Sequence, residues 1–228
     1  MATKAASANG KTAAHGAAET ETFVIEAPDI RTIEVPIRGI SPLIVHAWSV
    51  KAKAMMLEKQ TKGKARTKTR EPKNPEQDYQ DSRYISDDGW DGVPAAGFKA
   101  AMVAACRQVE GLSMVLAKTL FFVEADGRST RQNVELVRIH GTPRMREDMV
   151  RLETGTADLR YRAEFPVWSA TLHIRFDAGV VQHGSVLNLL ARAGESIGVC
   201  EWRPSAPRSS TGQCGRFRIL TADDLPAQ

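Results

Sequence analysis

Between Val167 and Phe176 the chain sets Trp168, Ala170, Leu172, Ile174 and Phe176 on alternate positions, with Ser169, Thr171, His173 and Arg175 between them. A period of two sends the two sets to opposite sides of a strand. The stretch therefore predicts a long β-strand, buried on one face and wet on the other. Arg31 to Ile40 repeats the pattern, with Ile33, Val35 and Ile37 against Thr32, Glu34 and Arg38. Pro36 cannot donate to a ladder, which puts this strand at an edge or a bulge. Half-buried strands need a cover, and a helix with an apolar stripe provides one.

Two segments have that stripe. Pro94 opens the first, since proline suits the first helical position, and Phe98, Ala101, Met102 and Ala105 recur at three-to-four spacing before Gly111 ends it. Ser185 caps the second, which runs through Val186, Leu187, Leu189, Leu190 and Ala193 to Gly194. Ser41-Pro42 turns the chain into apolar Leu43–Trp48, and Ser49 starts a short helix from Val50 to about Gln60. Val115–Val123 and Val134–Ile139 read as strands joined by Asp126-Gly127. Pro143–Arg162 reads as irregular and arginine-rich, and Gly215–Leu220 as a last strand. The predicted class is α+β, a ferredoxin-like (RRM-like) antiparallel sheet with two helices on one face and long insertions. The other face stays open, as in folds that take single-stranded RNA or DNA.

A chain of 228 residues with 42% hydrophobic content supports one domain, expected over residues 23–228. Residues 1–22 form a low-complexity stretch, expected as a disordered tail. No apolar run nears the roughly 20 residues that span a bilayer, and the N-terminus has no secretory signal, so a cytoplasmic protein with no membrane partner is expected. Cys106, Cys200 and Cys214 show neither a disulfide framework nor a zinc spacing, and Cys106 reads as a small core residue. Gly10-Lys11-Thr12 imitates the end of a phosphate-binding loop, but Ala5 stands where the earlier glycine is needed.

The charge is uneven. Lys51, Lys53, Lys59, Lys62, Lys64, Arg66, Lys68, Arg70 and Lys73 face only Glu58 and Glu71 over the same stretch, a local excess of +7 against +4 for the whole chain. Residues 61–81 are expected to leave the domain as an exposed basic arm, either a solubilising loop or a contact for a polyanion. Two further clusters mix arginine with aromatic rings. The first holds Arg144, Arg146, Arg151, Arg160, Tyr161 and Arg162, where Glu147, Asp148, Glu153 and Asp158 are available to neutralise it. The second holds Trp202, Arg203, Arg208, Arg216, Phe217 and Arg218, with no acid between Trp202 and Leu220. Guanidinium groups fork onto phosphates and aromatic rings stack on bases, so these are candidate nucleic-acid contacts.

Catalytic patterns are weaker. Gly194-Glu195-Ser196-Ile197-Gly198 spells a nucleophile elbow, but a helix precedes it where a strand is required. His46, His140, His173 and His183 lack metal-ligand spacing, and His46 reads as a histidine resting against the core with one nitrogen hydrogen-bonded. Asp87-Asp88 and Glu147-Asp148 are adjacent pairs whose side chains diverge, unlike a two-metal site. The expectation is no enzyme and no cofactor.

At Val93-Pro94-Ala95-Ala96-Gly97-Phe98-Lys99-Ala100-Ala101-Met102 the sequence resembles the start of the first helix in the RAMP superfamily, which includes the Cas7-type backbone subunits of CRISPR effector complexes. Gly194, Gly198, Gly212 and Gly215 follow the second helix, as that family's glycine-rich loop does. Ala96 and Gly97 replace the family's serines and Ala100 its glycine. From Ile40 through Trp202-Arg203-Pro204 the chain is also similar to a group of phage and prophage proteins. The resemblance implies a protein that binds single-stranded nucleic acid without sequence preference, includes Lys99 in the contact, and stacks into a helical homo-oligomer. Strand binding or annealing in phage-type replication and recombination, or a place in an RNA-guided assembly, would follow. The alternative is a virion or scaffold subunit with a basic interaction arm.

Overall fold

In the computed structural model the described residues are 26–48, 50–62, 72–151, 155–207, 209–221 and 224, with backbone alone at 50–52, 59, 62 and 151. The first half holds β1 (Ile30–Gly39), β2 (Leu43–Val45), α1 (Val50–Lys62), α2 (Pro75–Asp81), β3 (Tyr84–Ile85), β4 (Asp91–Pro94), α3 (Ala95–Ala105) and α4 (Met114–Leu120). The second holds β5 (Phe121–Glu124), β6 (Gly127–Ser129), β7 (Val134–Arg138), β8 (Arg144–Arg151), β9 (Ala157–Phe165), β10 (Ser169–Asp177), α5 (His183–Arg192) and β11 (Phe217–Ile219). The result is a mixed α/β protein with antiparallel sheets and, among the described residues, five α-helices.

The two alternating stretches pair with each other. β1 and β10 run antiparallel from Ile30 opposite Asp177 to Arg38 opposite Ser169. β11 and β5 flank them, giving the spatial order β11-β1-β10-β5. Val35, Ile37, Leu172, Ile174 and Phe176 are buried in one cluster with Phe98 and Met102 of α3 and Val186 and Leu190 of α5. Period-two burial on the strands thus meets period-3.6 burial on the helices, and removing an apolar side chain at that junction costs about 3–5 kcal/mol for a phenylalanine. Phe217 meets Phe98 and Trp168 edge-on at 5.8 and 6.2 Å. The Trp168 indole donates to the Ser41 carbonyl at 2.9 Å, and its ring lies so close to Gly39 that a Cβ there would stand 2.1 Å from Nε1.

Pro36 occupies a transition. β1 lies between two strands at Ile37–Gly39 but is an edge further back. The Leu220 amide donates to the Pro36 carbonyl at 2.9 Å, where β11 ends, so the missing proline donor falls just past the ladder.

Several expectations are corrected. Pro143–Arg162 is not irregular: β8 and β9 form a long antiparallel hairpin, from Arg144 opposite Glu164 to Arg151 opposite Ala157. β8 sets three charges in a row at Arg146-Glu147-Asp148 and has no period, whereas β9 alternates Leu159, Tyr161, Ala163 and Phe165 with Asp158, Arg160, Arg162 and Glu164, a period of two that continues past Arg162. Val115–Leu120 is helical because Ser113 caps α4, its hydroxyl accepting from the Leu116 amide at 3.2 Å. Asp126-Gly127 does not join β5 to β7, since β5 pairs with β10 and β7 pairs with β4 and β6. The turn into β7 ends at Asn133, which holds φ of 54°. The expected arm contains α2, which Asn74 caps ahead of Pro75. α3 ends at Ala105, six residues before Gly111. α5 starts at His183, before Ser185, and continues as a π-helical turn over Ala193–Ile197, so Gly198 (φ 69°), not Gly194, ends the helical run.

Candidate nucleic-acid interface

The hairpin neutralises Arg144, Arg146 and Arg162 of the first arginine cluster. Arg144, Arg146 and Asp148 share one face of β8 with Arg162 and Glu164 of β9, and there the charges interlock. Arg144 and Arg146 both donate to Glu164, at 2.7 and 2.8 Å, and Arg146 and Arg162 both donate to Asp148, at 2.8 and 2.6 Å. Arg162 is buried and also reaches Glu201 at 3.5 Å, while its Nε has no partner among the described residues. The Trp202 ring lies 5.1 Å from both the Arg146 and the Arg162 guanidinium carbons, which ties the loop after α5 to the hairpin. Burial acts to raise the Glu164 pKa, but the hydrogen bonds from Arg144 and Arg146 outweigh it and leave the carboxyl below its ordinary value.

The second cluster is neutralised too, contrary to expectation, by acids outside the segment. Arg216 pairs with the Glu195 side chain and donates to the Glu195 carbonyl at 2.9 Å. Arg218 makes a bidentate contact with Asp224 at 2.6 and 2.7 Å. Arg203 differs, since its partners are neutral: the Cys200 carbonyl at 2.7 Å and the Ser205 hydroxyl at 3.1 Å. Lys99 lies over the Phe122 ring at 3.8 Å, and desolvation lowers its pKa. Lys62 ends α1. Lys64, Arg66, Lys68, Arg70 and Arg208 lie outside the described residues, as does the side chain of Arg151.

On the open face of the four-stranded sheet Arg175 meets Glu124 at 3.5 Å and His173 lies 3.3 Å from Asp126, while the exposed Arg38, opposite Ser169, makes no ion pair among the described residues.

A groove on another side is different. One cleft, of about 470 Å³, runs between α3 and the loop after α5 and is lined by Tyr84, Gly97, Arg107, Glu201, Arg203 and Ser205 among others. A second, of about 380 Å³, is lined by Trp48, Met56, Lys73, Asp78, Arg160 and Tyr161. His46 lines both and joins them. Its ring is exposed into the groove rather than resting against the core, and it makes no hydrogen bond with a described residue. Crowding by the walls removes water and lowers its pKa. Arg107 donates only to the Met114 sulfur, at 3.1 Å, and Arg160 forms no ion pair among the described residues. Lys73 is held by Asp158 at 2.7 Å. The groove thus carries three guanidinium groups without carboxylate partners, Arg107, Arg160 and Arg203, together with the rings of Tyr84, Tyr161 and Trp48.

Arg160, Tyr161 and Arg203 belong to the sequence-based set. Trp48, His46, Tyr84 and Arg107 do not. The one signal for Trp48 was a tryptophan at the threshold of the basic run. Among the described residues no group of three or more His, Cys, Asp or Glu is placed to hold a metal ion, and no helix is long and apolar enough to cross a membrane.

No protein-family model matches the chain, and no curated protein matches it. Among solved structures, the chain is similar to Cmr6 from Pyrococcus furiosus, at 11% identity and a TM-score of 0.39, over 84% of this chain and 99% of that one. A likeness at that level does not assign the chain to a family.

Proposed function

We propose that this protein binds single-stranded nucleic acid without sequence preference, along the groove that His46 joins, and that it acts as a binder rather than a catalyst. One observation carries the reading: Arg107, Arg160 and Arg203 face the groove with no carboxylate to satisfy them. An unneutralised guanidinium is a site for a phosphate, and interleaved aromatic rings offer faces on which bases stack whatever their identity. The basic excess of Lys51–Lys73 lies in the same part of the sequence as Trp48, Met56 and Lys73, which line the second cleft, and would extend the electrostatic footprint. Chain order β1-α3-β5-β10-α5-β11 combined with spatial order β11-β1-β10-β5 supports a ferredoxin-like unit as the scaffold. Side-by-side homo-oligomers on a strand, in phage-type replication, recombination or an RNA-guided assembly, extend this reading.

Fluorescence anisotropy with labelled oligonucleotides tests it. Affinity should fall steeply with salt, and the Arg107→Ser, Arg160→Ser double variant should flatten the log–log slope by about 1.4, near 0.7 per lost contact on a single strand. Absence of binding at low salt would sink the proposal.

A second reading, an assembly or scaffold subunit, is favoured by the outward Met55, Met56 and Leu57 of α1, which are 52%, 45% and 61% exposed. Apolar surface of that kind suits a protein partner. Light scattering after size exclusion separates the two readings. Large particles without nucleic acid support the scaffold, whereas growth only after an oligonucleotide is added supports the strand binder.

A further inference from the structure

We propose that the cleft lined by Trp48, His46, Arg160 and Tyr161 takes one nucleobase of the bound strand and holds it by stacking, while the phosphate beside it sits on Arg160. The inference rests on the strand-binding reading and adds which part of the groove receives which part of the nucleotide.

Trp48 is 58% exposed, a large apolar ring left in water at the mouth of a concave site. A ring in that position gains from any flat apolar surface laid against it. At about 380 Å³ the cleft falls in the range of small-ligand sites, roughly 300–1,000 Å³. Tyr161 stands opposite Glu147 in the hairpin register, and the nearby carboxylate pushes the phenol pKa up. What Tyr161 adds to the cleft lining is a ring. The Met56 thioether adds a polarizable wall.

Charge sets the orientation. Asp78 also lines this cleft and repels a phosphate, whereas Arg160 attracts one and has no carboxylate of its own. A nucleotide satisfies both by turning its phosphate toward Arg160 and its uncharged base past Asp78. The other cleft has Arg107 and Arg203 beside Glu201 and the Tyr84 ring, and no tryptophan.

The test compares two labelled strands of about 12 nucleotides, oligo(dT) and one of the same length built of abasic sugars, each bound to the full chain at one salt concentration. The wild-type protein should bind the abasic strand about tenfold more weakly, the usual scale for one lost stacking contact. Trp48→Ala should weaken oligo(dT) binding by a similar factor and leave the abasic strand unchanged. Tyr161→Phe, which keeps the ring, should match wild type. Equal binding of the two strands by the wild-type protein overturns the base pocket while leaving strand binding intact, and so does a Trp48→Ala loss common to both strands. Failure to bind either strand overturns the strand-binding reading and this inference with it. If Trp48→Ala does not fold, as judged by circular dichroism, the wild-type comparison decides alone.

Discussion

Arg162 donates from Nη2 to Asp148 Oδ2 at 2.6 Å across the hairpin, with 1% and 5% of the two side chains exposed. A guanidinium so deeply placed depends on its carboxylate. Asp148→Ala strands that charge, and Arg146 loses a partner with it, so we expect destabilisation of about 3–5 kcal/mol. Urea unfolding at neutral pH measures it. A change under 1 kcal/mol would show that Glu201 and the Trp202 ring suffice to hold Arg162.

Gly39→Ala tests the packing of Trp168. The added methyl meets the indole, which is itself fixed by the bond to Ser41 and by the edge of Phe217. We expect a loss of about 1–3 kcal/mol or more, with a change in tryptophan emission as the ring moves. Wild-type thermal stability in this variant would count against the rigidity of that corner.

Glu164 makes stability depend on acid. Its pKa is lowered in the folded protein, so its contribution is complete above the ordinary value of 4.5 and is lost as the pH falls through the lower folded value. Urea midpoints should fall between pH 5 and more acid conditions. Glu164→Gln should be less stable at pH 7 and should show a shallower acid dependence, because the group that titrates is gone.

The basic run is testable by trypsin, since Lys64, Arg66, Lys68 and Arg70 are all cleavage sites. We expect rapid cutting in the free protein and protection after a single-stranded oligonucleotide is added. Equal rates in both conditions would reduce the run to a solubilising segment and leave strand binding to the groove.

The sheet and its cover were legible because burial imposes a period. Val35 and Ile37, Leu172 and Ile174, and Phe98, Ala101, Met102 and Ala105 all lie where their spacing puts them. The hairpin was not, because β8 runs through consecutive charges at Arg146-Glu147-Asp148 that look like a solvated loop, and the alternation of Leu159, Tyr161, Ala163 and Phe165 in β9 stands beside it among arginines. Helix α4 was hidden by an apolar run that its cap, Ser113, makes helical. The arginines misled for a related reason. Arg216 lies 21 residues from Glu195, an acid outside its segment and invisible to local counting, whereas Asp148, which holds both Arg162 and Arg146, was among the acids the first cluster itself offered. Trp48 and Arg107 face one groove only after the chain has folded.

Pro36 also controls what can join the sheet. On the side of β1 where β11 stops, Pro36 accepts from the Leu220 amide and has no amide to give in return, so a strand continuing that ladder would meet a missing donor at its first step. A second strand laid along β1 as a continuation of β11 would thus begin with one ladder bond missing, a cost that the β5 edge on the far side of the same sheet does not impose.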